Sequence, residues 1–296
     1  MVDVALRIDA LPIRSGDALA HQRLVTAGGG FNIMSAAARQ GVEVGYAGQL
    51  GTGPFSTIAQ QSLVSEGIDV VVPARPGSDV GACVVLVERS GERTFVTSPG
   101  AELSLSSADL AAVAVRAGDV VYLSGYNVVY PGLADVVVAW LEELEEEVVV
   151  AFDPGPRVAD IPLTLLRNVL ARCNWLLCNN AEATYLTKAT NATMNARALF
   201  QQWGSSGVVV RDGARGCVGV SADGVIESPG FATNVIDTNG AGDIHNGVVL
   251  AELLAGTELT LALARANAAA SIAIATFGPA TCPRRDEIEL RVQRGH

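Results

Sequence analysis

The stretch "VIDTNGAGDIHNG", Val235 to Gly247, places two carboxylates, Asp237 and Asp243, around Asn239-Gly240-Ala241-Gly242, directly before a long apolar segment. Val235-Ile236 reads as the end of a strand, and "GDIHNGVVLAELLAG" as the start of a helix. Gly240 and Gly242 permit backbone dihedrals closed to other residues and let a ligand approach the amides closely. Amides at a helix start make an anion site, favoured further by the helix dipole. Such a nest suits the charge that spreads over a transferring phosphoryl group. Asp243, in the first helical turn, could accept the proton of an attacking hydroxyl, as phosphoryl transfer requires, or it could cap the helix. On these residues alone both readings stand.

A loop of this kind needs a frame. From residue 30 onward the sequence alternates strand and helix. The apolar runs "VGYAGQL", "DVVYLSG", "EVVVAFDPG", "WLLCNN" and "GVVVRDG" read as buried parallel strands. Between them lie the helical stretches "FNIMSAAARQG", "PFSTIAQQSLVSEG", "GLADVVVAWLEELEE", "NARALFQQWG" and "LTLALARANAAASIAIATFG". The strand-like runs end in Gly, Asn or Asp at their carboxyl ends, where ligands bind in open α/β sheets. Residues 3–25 and 79–98 break the alternation and read as β-ribbon, forming a small β-lid over the active edge of the sheet. With neither a repeat nor a linker, residues 1–296 read as a single domain.

The totals narrow the function. At 296 residues and 49% hydrophobic the chain can bury a large core, and its net charge of -11 argues against a nucleic-acid partner. Lys188 is the only lysine. The five cysteines (Cys83, Cys173, Cys178, Cys217, Cys282) lack CxxC spacing, and with no secretory leader pattern they fit a cytoplasmic location. No apolar run reaches the roughly 18 residues that span a membrane.

"DTNGAGDIHNG" resembles the C-terminal motif D-T-x-G-A-G-D-x-F-x-G of the ribokinase-like (PfkB) family of sugar and nucleoside kinases. "PIRSGD" (Pro12–Asp17), "AGGGFN" (Ala27–Asn32), "GERTF" (Gly91–Phe95), "FDPGPR" (Phe152–Arg157), "NNAE" (Asn179–Glu182) and "RDGARG" (Arg211–Gly216) resemble further family segments, in family order and spacing. The resemblance covers essentially the whole chain. It implies a ribokinase-like three-layer αβα sandwich, with a mainly parallel sheet and a β-lid, and the transfer of phosphate from ATP to a primary hydroxyl of a small neutral sugar.

Residue by residue, the resemblance implies Asp243 as general base and the amides of Gly240, Ala241 and Gly242 as anion hole. Asp3, Gly28, Gly29 and Asn32 match positions that hold substrate hydroxyls. Asn179 and Glu182 match the segment that arranges Mg²⁺ and its waters. Arg211, Gly213 and Gly216 match the nucleotide loop, and Asn267 an Asn beside the adenine pocket. Asp237, Asn239 and the segment Ala273–Thr281, with Ala273, Thr276, Gly278 and Thr281 as its contributors, match a monovalent-cation site that K⁺ would occupy. Exposed ribbon edges invite pairing, so the lid reads either as the seam of a homodimer or as a flap free to close on one subunit.

The departures are specific. Arg211 replaces the usual Thr of the nucleotide loop, and His245 stands where Phe is common, reading as a packed helix residue. "GTGPFS" (Gly51–Ser56) lacks the usual acid, and the substrate glycine motif lacks lysine. The chain begins about where the family's first strand ends, at Asp3, so that central strand is expected to be missing. Two other functions follow from these residues: a nucleoside kinase, with Phe31 or Tyr126 stacking on a base, and a weakly catalytic regulator derived from a kinase.

Overall fold

The computed structural model describes residues 1–203, 206–279 and 281–295. Its strands are β1 (Val2–Arg7), β2 (Gln22–Ala27), β3 (Gly45–Tyr46), β4 (Asp69–Val70), β5 (Ala82–Val87), β6 (Arg93–Ser98), β7 (Val120–Ser124), β8 (Val149–Asp153), β9 (Trp175–Asn179), β10 (Gly207–Arg211), β11 (Cys217–Ser221) and β12 (Gly224–Ser228). The helices are α1 (Gly30–Arg39), α2 (Pro54–Ser65), α3 (Ser107–Ala111), α4 (Tyr126–Val129), α5 (Pro131–Glu143), α6 (Leu163–Arg172), α7 (Asn180–Thr187), α8 (Ala192–Gln202), α9 (Ala241–Leu254), α10 (Leu259–Ala273) and α11 (Arg285–Arg294).

The main sheet has the order β12-β11-β10-β9-β8-β7. β7 to β10 run parallel, and β11 and β12 extend the sheet antiparallel. The parallel strands are apolar at successive positions because both faces are covered. Val150, Phe152, Leu176, Cys178, Val208 and Val210 join one core layer with α5, α6 and α8. The alternate residues Ala151, Leu177 and Val209 join the other, with α1, α9, α10 and α11. The result is the α/β three-layer sandwich expected from the sequence. No helix among the described residues is long and apolar enough to cross a membrane.

A second sheet, β2-β1-β5-β6, takes its strands from the two segments read as β-ribbon. β1 and β5 pair in parallel, and β2 and β6 lie antiparallel on the outside. On β5, Cys83, Val85 and Val87 are buried, whereas Phe95 and Val96 of β6 stay exposed. β1 therefore belongs to the lid sheet. Among the described residues β7 ends the main sheet.

Two strand expectations are corrected. "VGYAGQL" yields only β3, which pairs with β4 apart from the main sheet. Just beyond it, the Leu50 carbonyl accepts from Arg75 N–H at 2.8 Å and from the Gln49 side-chain amide at 2.9 Å, and Gly51 pairs with Arg75 in an isolated parallel bridge rather than in the main sheet. Val235-Ile236 is exposed loop, not strand. The amides of Ile236 and Asp237 both donate to the Ile274 carbonyl just past α10, at 2.7 and 3.1 Å, which uses the donors a sheet would need.

α9 is buried along its length from Ile244 to Glu252 and packs against both α1 and α10. Gly247 makes the first contact close: a Cβ there would lie 2.5 Å from the Ile33 carbonyl oxygen and 2.7 Å from the Ala36 Cβ. That approach sets Asn32 of α1 beside Asp243 of α9. At the far end of α9, Glu252 is 1% exposed; its Oε2 accepts from Arg265 Nη1 and Thr257 Oγ1, both at 2.7 Å, and Arg285 Nη1 lies 3.0 Å from its Oε1. Removing this carboxylate takes the buried partner from two arginines and leaves Arg265 only Glu289 and Arg285 only the Gln40 carbonyl among the described residues, so Glu252→Ala is expected to cost about 3 kcal/mol of unfolding free energy. Urea denaturation measures it, and a loss below about 1 kcal/mol would show the three helix ends to be held by apolar packing instead.

Candidate active site

The loop before α9 meets the carboxyl ends of β8, β9 and β10 around a cavity of about 150 Å³. Gly240, Gly242, Asp243, Glu182, Arg211, Asp153, Tyr122 and Tyr126 are among the residues lining it. Gly240 has φ 76°, the left-handed region, and a Cβ there would lie 2.4 Å from the Pro279 carbonyl oxygen; both facts require glycine. The first amides of a helix have no partner within it. Among the described residues those of Gly240, Gly242 and Asp243 have no protein acceptor, whereas Ala241 N–H donates to the Thr238 carbonyl at 3.3 Å. Of the expected trio, Gly240 and Gly242 leave their N–H groups free among the described residues, Ala241 N–H is turned to Thr238, and Asp243 N–H beside them is free as well.

Asp243 is partly buried, and its Oδ2 accepts from Asn32 Nδ2 at 3.0 Å. Burial pushes its carboxyl up to about 6; the Asn32 bond pulls it down, Asp153 and Asp3 add repulsion, and Arg211 eases it. Gly240, the N-cap of α9, makes no side-chain cap bond, so the helix start is left to the bare loop. Asn32 is 3% exposed, and its Oδ1 has no partner among the described residues. Asp3 is also buried, with its carboxyl raised to about 6 by burial. It fills the space over Gly28, where a Cβ would lie 2.2 Å from the carboxyl group. Gly29 caps α1 at φ 58°.

Asn179 and Glu182 close a capping box on α7. Glu182 Oε2 accepts from Asn179 N–H at 2.8 Å and Oε1 from Asn179 Nδ2 at 2.7 Å. Burial first, then Asp153, raises the Glu182 carboxyl to about 7. Arg211 lies among these acids. Its Nη2 donates to Asp153 Oδ2 at 3.0 Å and stands 3.9 Å from Glu182 Oε2, and its Nη1 donates to Asn246 Oδ1. Asn246 Nδ2 donates to Asp153 Oδ2 at 2.7 Å. The guanidinium also faces Gly242, where a Cβ would lie 3.4 Å from Nε.

The remaining site residues fall outside this cavity. Gly213 and Gly216, at φ 60° and 95°, shape the turn after β10. Asn267 is buried and spends its Nδ2 on Ser228 and on the Pro229 carbonyl, pinning the loop beside Gly216 rather than presenting a free amide. Burial with Arg211 nearby holds the His245 ring down to about 3, so it is neutral and packed. Phe31 belongs to the core, which removes it as a stacking surface, whereas Tyr126 is 43% exposed at the cavity.

Around Asp237 the carboxylate accepts from Asn239 N–H at 2.9 Å and Gly278 N–H at 3.1 Å. The Ala273 carbonyl accepts from Thr276 N–H at 3.0 Å and Thr281 Oγ1 at 3.2 Å. Ala280, inside this segment, lies outside the described residues. Among the described residues no cluster of three His, Cys, Asp or Glu side chains could hold a metal by itself. Asp153, Asn246 and Tyr122 were not singled out from the sequence. Asn246 follows Asp243 by three positions, a spacing that places both on neighbouring faces of α9 and could have drawn attention to it.

The profile of the pfkB family of carbohydrate kinases matches residues 4–286. The chain is 35% identical over 294 residues to the uncharacterized sugar kinase YegV of Escherichia coli (strain K12), covering 98% of this chain and 91% of that one. It is 26% identical over 292 residues to the ATP-dependent ribose-1-phosphate kinase of Halopiger xanaduensis, covering 97% and 93%. Among solved structures, ribokinase from Thermotoga maritima superposes with a TM-score of 0.81 at 21% identity, covering 99% of this chain and 96% of that one.

Proposed function

The chain belongs to the pfkB family of carbohydrate kinases, and on that premise we propose that it transfers the terminal phosphoryl group of ATP to a primary hydroxyl of a small neutral sugar. One arrangement supports this reading above others: the raised carboxyl of Asp243, bonded to Asn32, beside the unpartnered amides of Gly240 and Gly242. Asp243 takes the proton of the substrate hydroxyl, and the amides of Gly240, Gly242 and Asp243 receive the charge on the phosphoryl oxygens. Glu182 suits Mg²⁺ held through water, because its carboxyl is crowded by Asp153 and Asp243 and a hard dication takes oxygen ligands. Bound there, Mg²⁺ supplies neutralisation of phosphate charge.

The neutral substrate follows from the groups near the base. Asp3, Asn32 and Asp243 offer acceptors for hydroxyls and would repel a second phosphate. Of the lid arginines, Arg7 stacks on Phe277 at 5.2 Å and Arg93 reaches Thr238, whereas Arg23 is exposed on β2 and is the one left to turn inward. Exposed Tyr126 at the cavity favours a nucleoside as the second reading, since its ring is open to a base.

A panel of matched pairs tests both. Fructose against fructose 6-phosphate, ribose against ribose 1-phosphate and ribose 5-phosphate, and a nucleoside against its 5′-phosphate are compared by kcat/KM with ATP. The free polyol of at least one pair is expected to be used at least ~10-fold better, because the one cation lining the cavity among the described residues, Arg211, is held by Asp153 and Asn246. Preference for the phosphorylated member throughout would remove the neutral-substrate reading while leaving the kinase assignment intact.

A further inference from the structure

The lid meets the site loop through one side chain that the reaction scheme above leaves unused. Arg93 opens β6, an edge strand paired only with β5 among the described residues. Its Nη2 donates to Thr238 Oγ1 at 2.6 Å, and its Nη1 lies 3.7 Å from Asp237 Oδ1. The Asp237 carboxylate is buried, with a side chain only 6% exposed, against 25% for Arg93. Two neutral amides, from Asn239 and Gly278, are its other partners. A buried carboxylate held by two neutral amides still favours a nearby positive charge. Arg93 supplies one from the lid, 145 positions away from Thr238 in sequence.

The segment it touches matters more than the pair itself. Asp237, Thr238 and Asn239 lead straight into Gly240, and the Thr238 carbonyl takes the Ala241 amide at 3.3 Å. Fixing Thr238 therefore fixes which amides of the loop remain free. The same carboxylate, with the Ile274 carbonyl that takes the Asp237 N–H and the Ala273 carbonyl that takes Thr281 Oγ1, has the oxygen donors a monovalent cation accepts, so the residues fit such an ion. Arg93 and that ion would answer the same negative charge.

We propose that Arg93 is a positioning residue: it ties the lid to the Asp237–Asn239 segment and shares with a monovalent cation the task of neutralising Asp237. The role rests on the kinase reading for its consequence in catalysis, but its electrostatic part does not. Without Arg93 the carboxylate depends on the ion alone, so the response to K⁺ grows.

The experiment uses the full chain as wild type, Arg93→Met and Arg93→Lys. Thermal unfolding is recorded without sugar or nucleotide, in K⁺ and in tetramethylammonium chloride at equal ionic strength. Binding of an ion to the folded state raises Tm by mass action. The Tm difference between the two salts is expected to be about twofold larger in Arg93→Met than in wild type. Arg93→Lys, which keeps the charge and loses the fork, is expected to fall between them. Equal increments in all three proteins overturn the proposal. If Arg93→Met does not fold in either salt, Arg93→Lys against wild type decides by the same criterion. Because no substrate is present, this outcome is independent of whether the kinase substrate has been identified correctly.

Discussion

Asp243→Asn is expected to lower kcat by on the order of 10²-fold or more while leaving nucleotide affinity within about threefold. The substitution keeps the shape of the side chain and an acceptor for Asn32 Nδ2, which now lies 3.0 Å from Oδ2. The loop amides are backbone groups and remain in place. What is lost is the ability to take a proton. The pH dependence offers a second signature. A base acts when deprotonated, so with a carboxyl raised to about 6 the activity present at neutral pH is lost as pH falls through that value. Glu182, raised to about 7, titrates in the same range and feels Asp243, so the acidic limb of kcat/KM belongs to the pair and is expected between about 6 and 7. Steady-state kinetics of both proteins across pH check the expectation. Turnover of Asp243→Asn within ~10-fold of wild type would reduce Asp243 to an element of helix packing.

The sequence exposes the parts of this site that are local. The glycine loop, the acid in the first turn of α9 and the capping pair Asn179–Glu182 are contiguous or nearly so, and their backbone demands are written in the residue types. The strands β8, β9 and β10 are equally legible, because burial on both faces leaves an unbroken apolar run. Long-range contacts are not. Asp153 meets Asn246 across 93 positions and Arg211 across 58, and a sequence read alone gives no spacing that joins them. Nor could it show that Asn267 spends its amide on Ser228 and Pro229, since a buried Asn and a ligand-facing Asn look alike until the loop opposite is placed. Val235-Ile236 failed for a related reason: two β-branched residues suit a strand, but their neighbour α10 ends where Ile274 can take both donors. Phe31 is an apolar wall residue, in one core cluster with Val2 and Leu50.

Arg211 gives the strongest test of what the long-range network does. Its guanidinium is 14% exposed and lies between Asp153, Glu182 and Asn246, next to Gly242. It eases the repulsion that raises both Asp243 and Glu182. Arg211→Met is therefore expected to push both carboxyls further up, so that less of the base is ionised at neutral pH. The acidic limb of kcat/KM should move to higher pH, and raising pH should restore part of the lost rate. At neutral pH kcat/KM is expected to fall by about 10²-fold, combining the weaker base with the loss of a fixed positive charge beside the anion hole. Stripping the cation from buried acids also costs stability, about 3–5 kcal/mol. If that unfolds the protein, Arg211→Lys serves instead: it keeps the charge but cannot reach Asp153 and Asn246 together, so it should retain the wild-type limb with a smaller fall in rate. A limb at the wild-type pH in Arg211→Met, with kcat/KM within ~10-fold of wild type, would mean that Arg211 only packs the ends of β8 and β10 and has no electrostatic part in the reaction.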